Sequence, residues 1–363
     1  MPQVPAQRRP RKDDAMFSDD YPLNFWYVAG RAEDFGRALK PLTLFGRKIV
    51  FYRREDGTPV ALEDACPHRK LPLSKGALQG DTVVCGYHGL TFDGAGRCVA
   101  APTQADAVPK RARVISYPVA EKYGFVWIWP GDAALADPAR LIDIPHYDDP
   151  TWGKTRRGAL DIACNYLWVT DNLLDPSHVA WVHVTSFAGA GTDNVPLQIT
   201  EGHDHVIVWR WIPDRPAPPY YQQLMGFEGH CDRKQHYECR VPSTAINKSI
   251  YTPAGTGGDD DALPEAAFVN FSYNFMTPVD ADHTLYFWFQ HRNARADDEA
   301  VSQRMFEGAT MAFNEDKAVL EDVHTGMKDA ATPVLNLGLD AGALRFRKLV
   351  ERAVTTERET LTA

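Results

Sequence analysis

The sequence predicts an α+β fold in two parts, on three observations. From about Leu42 to Trp129, short apolar or alternating segments succeed one another, with Gly, Asp and Pro between them. In the second half, further strand-like runs lead into long stretches of helical period. Strand and helix do not alternate along the chain, which argues against a doubly wound parallel sheet. The 363 residues are enough for two domains at roughly 150 residues each.

Residues 1–16 hold three prolines and four basic residues with almost nothing to bury, and read as a disordered arm. Ordered structure is expected from Phe17, where FSDDYPLNFWYVAG brings the first aromatic cluster. RKIVFYRR, TPVALED, DTVVCGYHG, LTFD and GFVWIW supply the strands of an antiparallel β domain over 17–145. Within it FDGAGRC reads as a hairpin with Asp93-Gly94 at the turn. The Pro- and acid-rich PGDAALADPARLIDIPHYDDPTWG forms the connection to a second domain, 146–354. There the chain turns helical around Asp171–Thr185, after which HVIVWRWI, RKQHYECRV, AAFVNFSYNFM and TLYFWFQHR read as strands. GTGGDDD is a flexible acidic loop among them. Helices are expected over about 297–327 and 341–354, leaving 355–363 as a tail.

Lys plus Arg number 39 against 48 Asp plus Glu, a net charge of −9. Such a chain lacks the positive field that a phosphate backbone demands, so nucleic acid is not an expected partner. Six scattered cysteines are too few for a disulfide scaffold. No apolar run approaches the ~20 residues needed to cross a bilayer, so no membrane partner is expected. The basic start has no apolar segment behind it, unlike a secretory signal. The expectation is a cytoplasmic protein with thiols free or on metal.

Two groups of residues point to metal. Residues 66–68 read Cys-Pro-His and residues 85–88 read Cys-Gly-Tyr-His, with 16 residues between His68 and Cys85. Hairpin signals fill that gap, so the two loops can meet as neighbouring tips. One sulfur and one nitrogen donor on each loop, Cys66 with His68 and Cys85 with His88, is the inventory of a [2Fe–2S] centre with two Cys on one iron and two His on the other. The set also suits tetrahedral zinc, although each loop mixes ligand types where zinc fingers pair like with like.

The second group is His178 and His183 in DNLLDPSHVAWVH. Five residues are about 500° of helical rotation, a net ~140°, so a regular helix cannot aim both at one ion. The backbone must tighten, widen or break between them, or the histidines are merely structural. A third donor alters that balance. If the helix after residue 297 buries Met305, Ala309, Ala312, Phe313, Leu320 and Val323, Asp316 falls inside that apolar stripe. A carboxylate there needs a cation, an Arg or capping hydrogen bonds. Glu315 and Asp322 lie off the stripe and can be solvated. Two His and one carboxylate around Fe(II) leave three positions open on one side, which suits dioxygen beside a substrate.

The combination of C-x-H…C-x-x-H with the downstream D-N-L-x-D-x-x-H-x-x-x-x-H resembles the Rieske non-haem iron oxygenases, most of all the vanillate and dicamba O-demethylase branch. The likeness runs from NFWYVAG to LNLGLDAGALRFRKLVERAV, nearly the whole chain. It implies that Cys66 and Cys85 bind the inner iron of the cluster, His68 and His88 the outer one, and His178, His183 and Asp316 a mononuclear Fe(II). It implies a helix-grip (START-like) second domain, a curved antiparallel sheet over a long helix, and head-to-tail homotrimers. Electrons would come from NAD(P)H through a separate reductase, by way of ferredoxin and/or flavin, since the chain shows no nicotinamide or flavin site. The implied reaction is oxidative O- or N-demethylation of a small aromatic substrate with O2, releasing formaldehyde. Ring or alkyl hydroxylation, including cis-dihydroxylation, is the enzymatic alternative. A pure Rieske electron carrier is the non-enzymatic one, and it would leave some 200 residues idle.

Asp175 has two readings. Before Pro176 it makes a good helix N-cap, whereas the resemblance puts it between two metal centres, bonded to His178 and to a Rieske histidine of the adjacent subunit. Asn172 is expected near the iron without being a ligand, or as a buried, satisfied amide. His230, Cys231, His236 and Cys239 also offer donors, but strand alternation sends the cysteines and the histidines to opposite faces. Gly189-x-Gly191 lacks a Rossmann strand before it. His203, His205, His283 and His291 have no partner visible in the sequence. The aromatic strands AAFVNFSYNFM and TLYFWFQHR are equally consistent with a planar apolar substrate and with an ordinary β core.

Overall fold

The computed structural model describes residues 20–105, 107–108, 110–183, 195–258 and 262–362. The expected arm, Thr185, the Gly189-x-Gly191 pair and part of the GTGGDDD loop lie outside the described residues.

The first half is built of short antiparallel strands, as the punctuated pattern requires. One sheet joins Tyr27–Arg31, Phe125–Ile128 and Val119–Lys122. A second runs Lys40–Leu44, Arg47–Arg53, Pro59–Glu63 and Ser116–Tyr117, and its Ile49–Tyr52 run is buried on both faces. The third joins Ala77–Gln79, Thr82–Val84, Thr91–Phe92 and Cys98–Ala100. The FDGAGRC hairpin forms, with one correction. Asp93 holds the turn through its side chain, which accepts from the Ala95 and Arg97 amides, but the left-handed residue is Gly96 at φ +74°, not Gly94. A Cβ on Gly96 would lie 2.2 Å from the Val114 carbonyl oxygen, so no side chain fits.

The second half centres on one antiparallel sheet. Its strands are β1 (Gly153–Lys154), β2 (Gly158–Ile162), β3 (Gln198–Glu201), β4 (His205–Pro216), β5 (His230–Arg240), β6 (Thr244–Pro253), β7 (Phe268–Pro278) and β8 (Thr284–Arg292). The order is β1-β8-β7-β6-β5-β4-β3, with β2 also on the outer edge of β8. Strands β4, β5, β7 and β8 are the four that the sequence pattern predicts. The pattern misses β6, TAINKSIYTP, because its Asn, Lys and Ser dilute the β signal.

Register decides what each face shows. Phe271, Tyr273, Phe275, Phe287 and Phe289 point outward and pack with Trp26, Val28, Phe125 and Trp127 of the first half. Phe275 stands with its ring centre 5.1 Å from Trp127 and 5.5 Å from Phe125. The aromatic runs therefore make a β core that fuses the two halves. The opposite, inner face is polar at its centre. Tyr237, Asn247, Ser272 and Gln290 stand in one cross-strand row, and Gln235, Ser249, Asn270 and Arg292 in the next.

Helices α1 (Tyr166–Leu173), α2 (Val179–Val182), α3 (Glu299–Asp329) and α4 (Ala341–Thr362) cover the inner face together with the single turn Pro219–Gln222, whose Tyr221 packs on Tyr251 and Phe268. The helical stretch expected from Asp171 begins earlier, at Tyr166, because Asn165 caps it by accepting from the Leu167 amide. Along α3 the buried residues include Met305, Ala309, Ala312, Phe313, Asp316 and Leu320, as the stripe predicts. Val323 does not belong to the stripe; it is exposed, and the neighbouring His324 is buried against Asp282 at 3.0 Å. The expected tail is also corrected. α4 continues to Thr362, and the Glu357 carboxylate accepts the Leu23 and Asn24 amides, each at 2.7 Å.

Candidate metal centres

The two Cys–His loops are conformational copies of one another. In the first, the Cys66 amide donates to Leu71 and the Cys66 carbonyl accepts from Lys70; in the second, the Cys85 amide donates to Leu90 and the Cys85 carbonyl accepts from Gly89. Lys70 and Gly89 occupy the same place in each loop, and both are left-handed, at φ 59° and 74°. The loops meet closely beneath: a Cβ on Gly76 would overlap the Val84 carbonyl at 2.0 Å. The two thiols are buried, and burial first of all, reinforced by contact with Cys85, pushes the Cys66 thiol up to about 11. At the rim the Nδ1 atoms of His68 and His88 face each other at 3.1 Å, and Tyr87 beside them is exposed.

The four donors stand as two like pairs: the Cys66 and Cys85 thiols touch, and the His68 and His88 Nδ1 atoms are 3.1 Å apart. A thiol pair below and an imidazole pair above fit a two-iron cluster that spans the gap.

The second group converges. One ligand atom each from His178, His183 and Asp316 lies within 4.8 Å of the other two. The histidines bracket the single turn of α2, whose bonds tighten: both Trp181 and Val182 amides donate to the His178 carbonyl. His183 then leaves the helix at φ −100°, ψ 37°, which turns its ring back toward His178, centre to centre 5.2 Å. The break that the five-residue spacing demands is therefore at His183 itself.

Each imidazole is held from behind. His183 Nδ1 donates to the Glu315 carboxylate at 2.8 Å, and His178 Nδ1 to the Asp175 backbone carbonyl. With protons fixed on Nδ1, both Nε2 lone pairs face Asp316 Oδ1, at 3.6 Å from His178 and 3.1 Å from His183. Asp316 Oδ1 is buried and has no hydrogen-bond partner. Lone pairs converging in a buried space repel unless a cation sits among them, so the donor set fits a divalent metal. Burial lowers the His178 pKa; at His183 burial acts in the same sense, but the Asp316 and Glu315 carboxylates outweigh it and raise the value.

Three expectations change here. Glu315 is not merely solvated; it orients a metal-facing histidine, a role its place off the apolar stripe does not reveal. Asp175 does not cap α2, whose N-cap is His178; its Oδ1 instead accepts from the Ser177 amide at 2.8 Å in the turn that precedes the helix, and its carboxylate is 4.0 Å from His178 Nδ1, so the carbonyl makes that bond. Asn172 does not line the chamber in front of the three donors. It lies with Asp175, Trp168, Val323, Leu335 and Arg347 along a separate groove of about 430 Å³, on the far side of α1.

The chamber itself measures about 90 Å³. Its helical wall is Leu173, Val179, Ala312 and Phe313 with Tyr221, whose side chain bonds Ser249 and Asn270; its sheet wall is Arg233, Tyr237, Asn247, Ser249, Asn270, Ser272, Asn274 and Gln290. Two histidines without a partner visible in the sequence find local ones in the fold: His205 with Asp204 and His283 with Asp280. His236 bonds Glu238 at 3.0 Å and Cys231 and Cys239 are buried on the other face, so no third metal group forms among the described residues.

Comparison with known proteins places these features in context. Residues 25–118 match the Rieske [2Fe-2S] domain, and residues 162–356 match the vanillate O-demethylase oxygenase C-terminal domain. A putative iron–sulfur subunit of a toluene-4-sulfonate monooxygenase system from Comamonas testosteroni is 34% identical over 92% of this chain and 97% of its own length. The vanillate O-demethylase oxygenase subunit of a Pseudomonas species is also 34% identical, over 93% of this chain and 96% of its own. A crystal structure of dicamba monooxygenase bound to 3,6-dichlorosalicylic acid superposes with a TM-score of 0.85 at 29% identity, covering 93% of this chain and 99% of that one; another, with non-heme iron and dicamba, superposes with a TM-score of 0.79 at 27% identity, covering 94% and 99%. No helix among the described residues is long and apolar enough to cross a membrane.

Proposed function

This chain belongs to the vanillate O-demethylase oxygenase family of Rieske iron oxygenases and is the oxygenase component of a system completed by a separate reductase; on that footing we propose that it demethylates a small aromatic ether or amine. The observation that carries the site assignment is the convergence of His178, His183 and Asp316 behind fixed tautomers. In this reading those three hold mononuclear Fe(II), Cys66, Cys85, His68 and His88 hold the [2Fe–2S] cluster, and the functional units are residues 17–145 and 146–362, the second extended by α4.

When bound, the cluster delivers electrons singly and the Fe(II) activates dioxygen, so that an O- or N-methyl C–H bond is oxidised and formaldehyde leaves. The protein's own residues supply everything around that chemistry. Glu315 and the Asp175 carbonyl keep both imidazoles aimed, each with its Nδ1 engaged from behind. Asp316 offers one charge and its buried oxygen to the same point. Phe313, Leu173 and Val179 give the chamber an apolar wall on one side, and the polar sheet wall offers groups to orient the substrate on the other. A volume of about 90 Å³ is below the ~150 Å³ of an engineered cavity that holds benzene, which favours a compact substrate and requires the walls to yield before a ring enters.

We further propose a head-to-tail homotrimer in which the exposed rim of one chain's cluster loops sits in the groove beside Asp175 of the next. The groove exposes Val319, Val323, Leu335 and Leu339, and nearby Trp181 is 84% exposed, which is apolar surface of the kind that marks interfaces. A heterologous contact of this kind closes into a ring. Light scattering should give three times the chain mass of 40.6 kDa.

The decisive test of the reaction is a screen of methoxylated and N-methylated aromatics, with a surrogate reductase, for NAD(P)H consumption coupled to formaldehyde. Demethylation requires formaldehyde in step with substrate loss; a diol or ring-hydroxylated product without formaldehyde assigns the alternative chemistry.

A further inference from the structure

The seam between the two halves is closed at one end and open at the other. It is closed where Phe275 packs edge-on against Trp127 and Phe125. Toward β5 and β6 the outer face of the sheet parts from the first half and leaves a cavity of about 380 Å³. Its floor holds Thr244, Ile246 and Lys248, which alternation sets on one face of β6, with Tyr273 opposite Ile246 and Phe271 opposite Lys248 on β7. Phe25, Trp26 and Trp127 face them from the first half. Among the described residues none lines both this cavity and the metal-directed chamber, because Asn247, Asn270 and Ser272 leave the same two strands toward the inner side.

Three basic and three acidic residues line the cavity, and they are not equally engaged. Glu238 is occupied, with Arg240 Nε at 2.5 Å and His236 Nε2 at 3.0 Å. Asp204 is bonded to His205 at 2.9 Å, and Asp143 is exposed to solvent. Lys248 is left over. It comes no closer than 3.7 Å to Glu238, too far for a hydrogen bond, and its ammonium lies 5.8 Å from the centre of the Phe271 ring. Arg140 makes no ion pair among the described residues; its guanidinium rests over the Phe25 and Trp129 rings. Tyr273 is only 2% exposed, yet its hydroxyl, like that of Thr244, has no hydrogen-bond partner among the described residues. Tyr273 is diagonal to both Thr244 and Lys248 across the strand pair, which puts all three within reach of one ligand group.

A half-buried ammonium with two idle hydroxyls beside it, facing indole and phenyl rings, is a receptor for an anion on a flat body. A cavity that holds benzene measures ~150 Å³, so about 380 Å³ admits two rings. We infer that the seam is a second binding site, outside the metal-directed chamber, for an aromatic carboxylate of two fused rings. Lys248, Tyr273 and Thr244 take the carboxylate, and the rings lie between Phe271 and the Trp26–Trp127 wall. At about 90 Å³ the chamber fits such a body poorly, so the two sites select by size. The inference goes beyond the demethylase reading and does not depend on it.

The test uses the full chain with both metal centres loaded. The probes are 2-naphthoate, the neutral 2-naphthamide and 6-bromo-2-naphthoate. Titration calorimetry should show saturable binding of 2-naphthoate, at least about tenfold tighter than the amide. K248Q should remove that preference by weakening the acid alone, with iron content and the Rieske signal unchanged. In crystals grown with the bromo compound, the anomalous signal of bromine should lie between Phe271 and Trp127. No saturable binding of naphthoate, equal affinity for acid and amide, an undiminished preference in K248Q, or absence of bromine from the seam overturns the inference. Should K248Q not fold, the position of the bromine decides the matter by itself.

Discussion

The two metal-directed regions are built on opposite plans. The cluster loops are two copies of one local turn, each supplying a sulfur and a nitrogen within four residues, and they end at an exposed rim. The His178–His183–Asp316 group is assembled across more than a hundred residues, from a one-turn helix and a long helix, and is oriented by groups that are not among the three. The difference follows what each must do. A relay of electrons needs a surface from which to hand them on; a site for oxygen needs exclusion of water and oriented donors. Locality makes the first robust to changes elsewhere in the fold, and makes the second depend on how α2 and α3 are packed.

The sharpest way to break this contrast is at Asp316. D316A should reduce iron from three to two per chain and abolish turnover, while the Rieske paramagnetic signal of the reduced protein persists. Retained turnover, or loss of both centres together, contradicts the separation of the two sites. The mirror experiment, H88A, should remove the Rieske signal and reductase-driven turnover but leave one iron bound at the other site, seen by metal analysis with nitric oxide as a spectroscopic probe.

A smaller effect is expected at Glu315. E315Q keeps the shape but loses the charge behind His183, and such outer partners typically contribute 10–100-fold in metal affinity or activity. Iron retention under chelator should fall in that range with the Rieske signal untouched; no change would show that His183 needs no support. The smallest effect tests the likeness of the two loops. Lys70 bears a left-handed conformation that Gly89 adopts freely, so K70G should leave the cluster intact and raise stability by up to about 1 kcal/mol. G89V, by contrast, meets Pro102 Cγ within 2.8 Å of its Cβ and should lower the unfolding temperature and cluster content.

The same contrast explains which residues of the two sites are legible in the amino-acid sequence. Cys66, His68, Cys85 and His88 are legible because their chemistry is encoded within single loops. Asp316 is legible because a carboxylate inside an apolar stripe breaks the helical pattern, and the misfit of five residues between His178 and His183 announces a distorted turn. Glu315 is not legible: it lies one residue, about 100°, around the helix from Asp316, and only the position of His183 gives that direction a meaning. Asn172 misleads for a related reason, since α1 begins at Tyr166 and its phase turns Asn172 to the groove. In AAFVNFSYNFM the aromatics dominate the eye, but they form the seam with the first half, and the interleaved Asn270, Ser272 and Asn274 face the chamber. Alternation reveals that a strand has two faces; it does not say which one the helices will cover.

The Glu357 bond to the backbone of Leu23 and Asn24 has a consequence for biogenesis. Leu23 and Asn24 meet this partner only after a further 334 and 333 residues have been synthesised, because the carboxylate that secures them lies in the last turns of α4. A nascent chain can therefore close its cluster loops early, yet the segment at Leu23 and Asn24 waits for α4 to emerge.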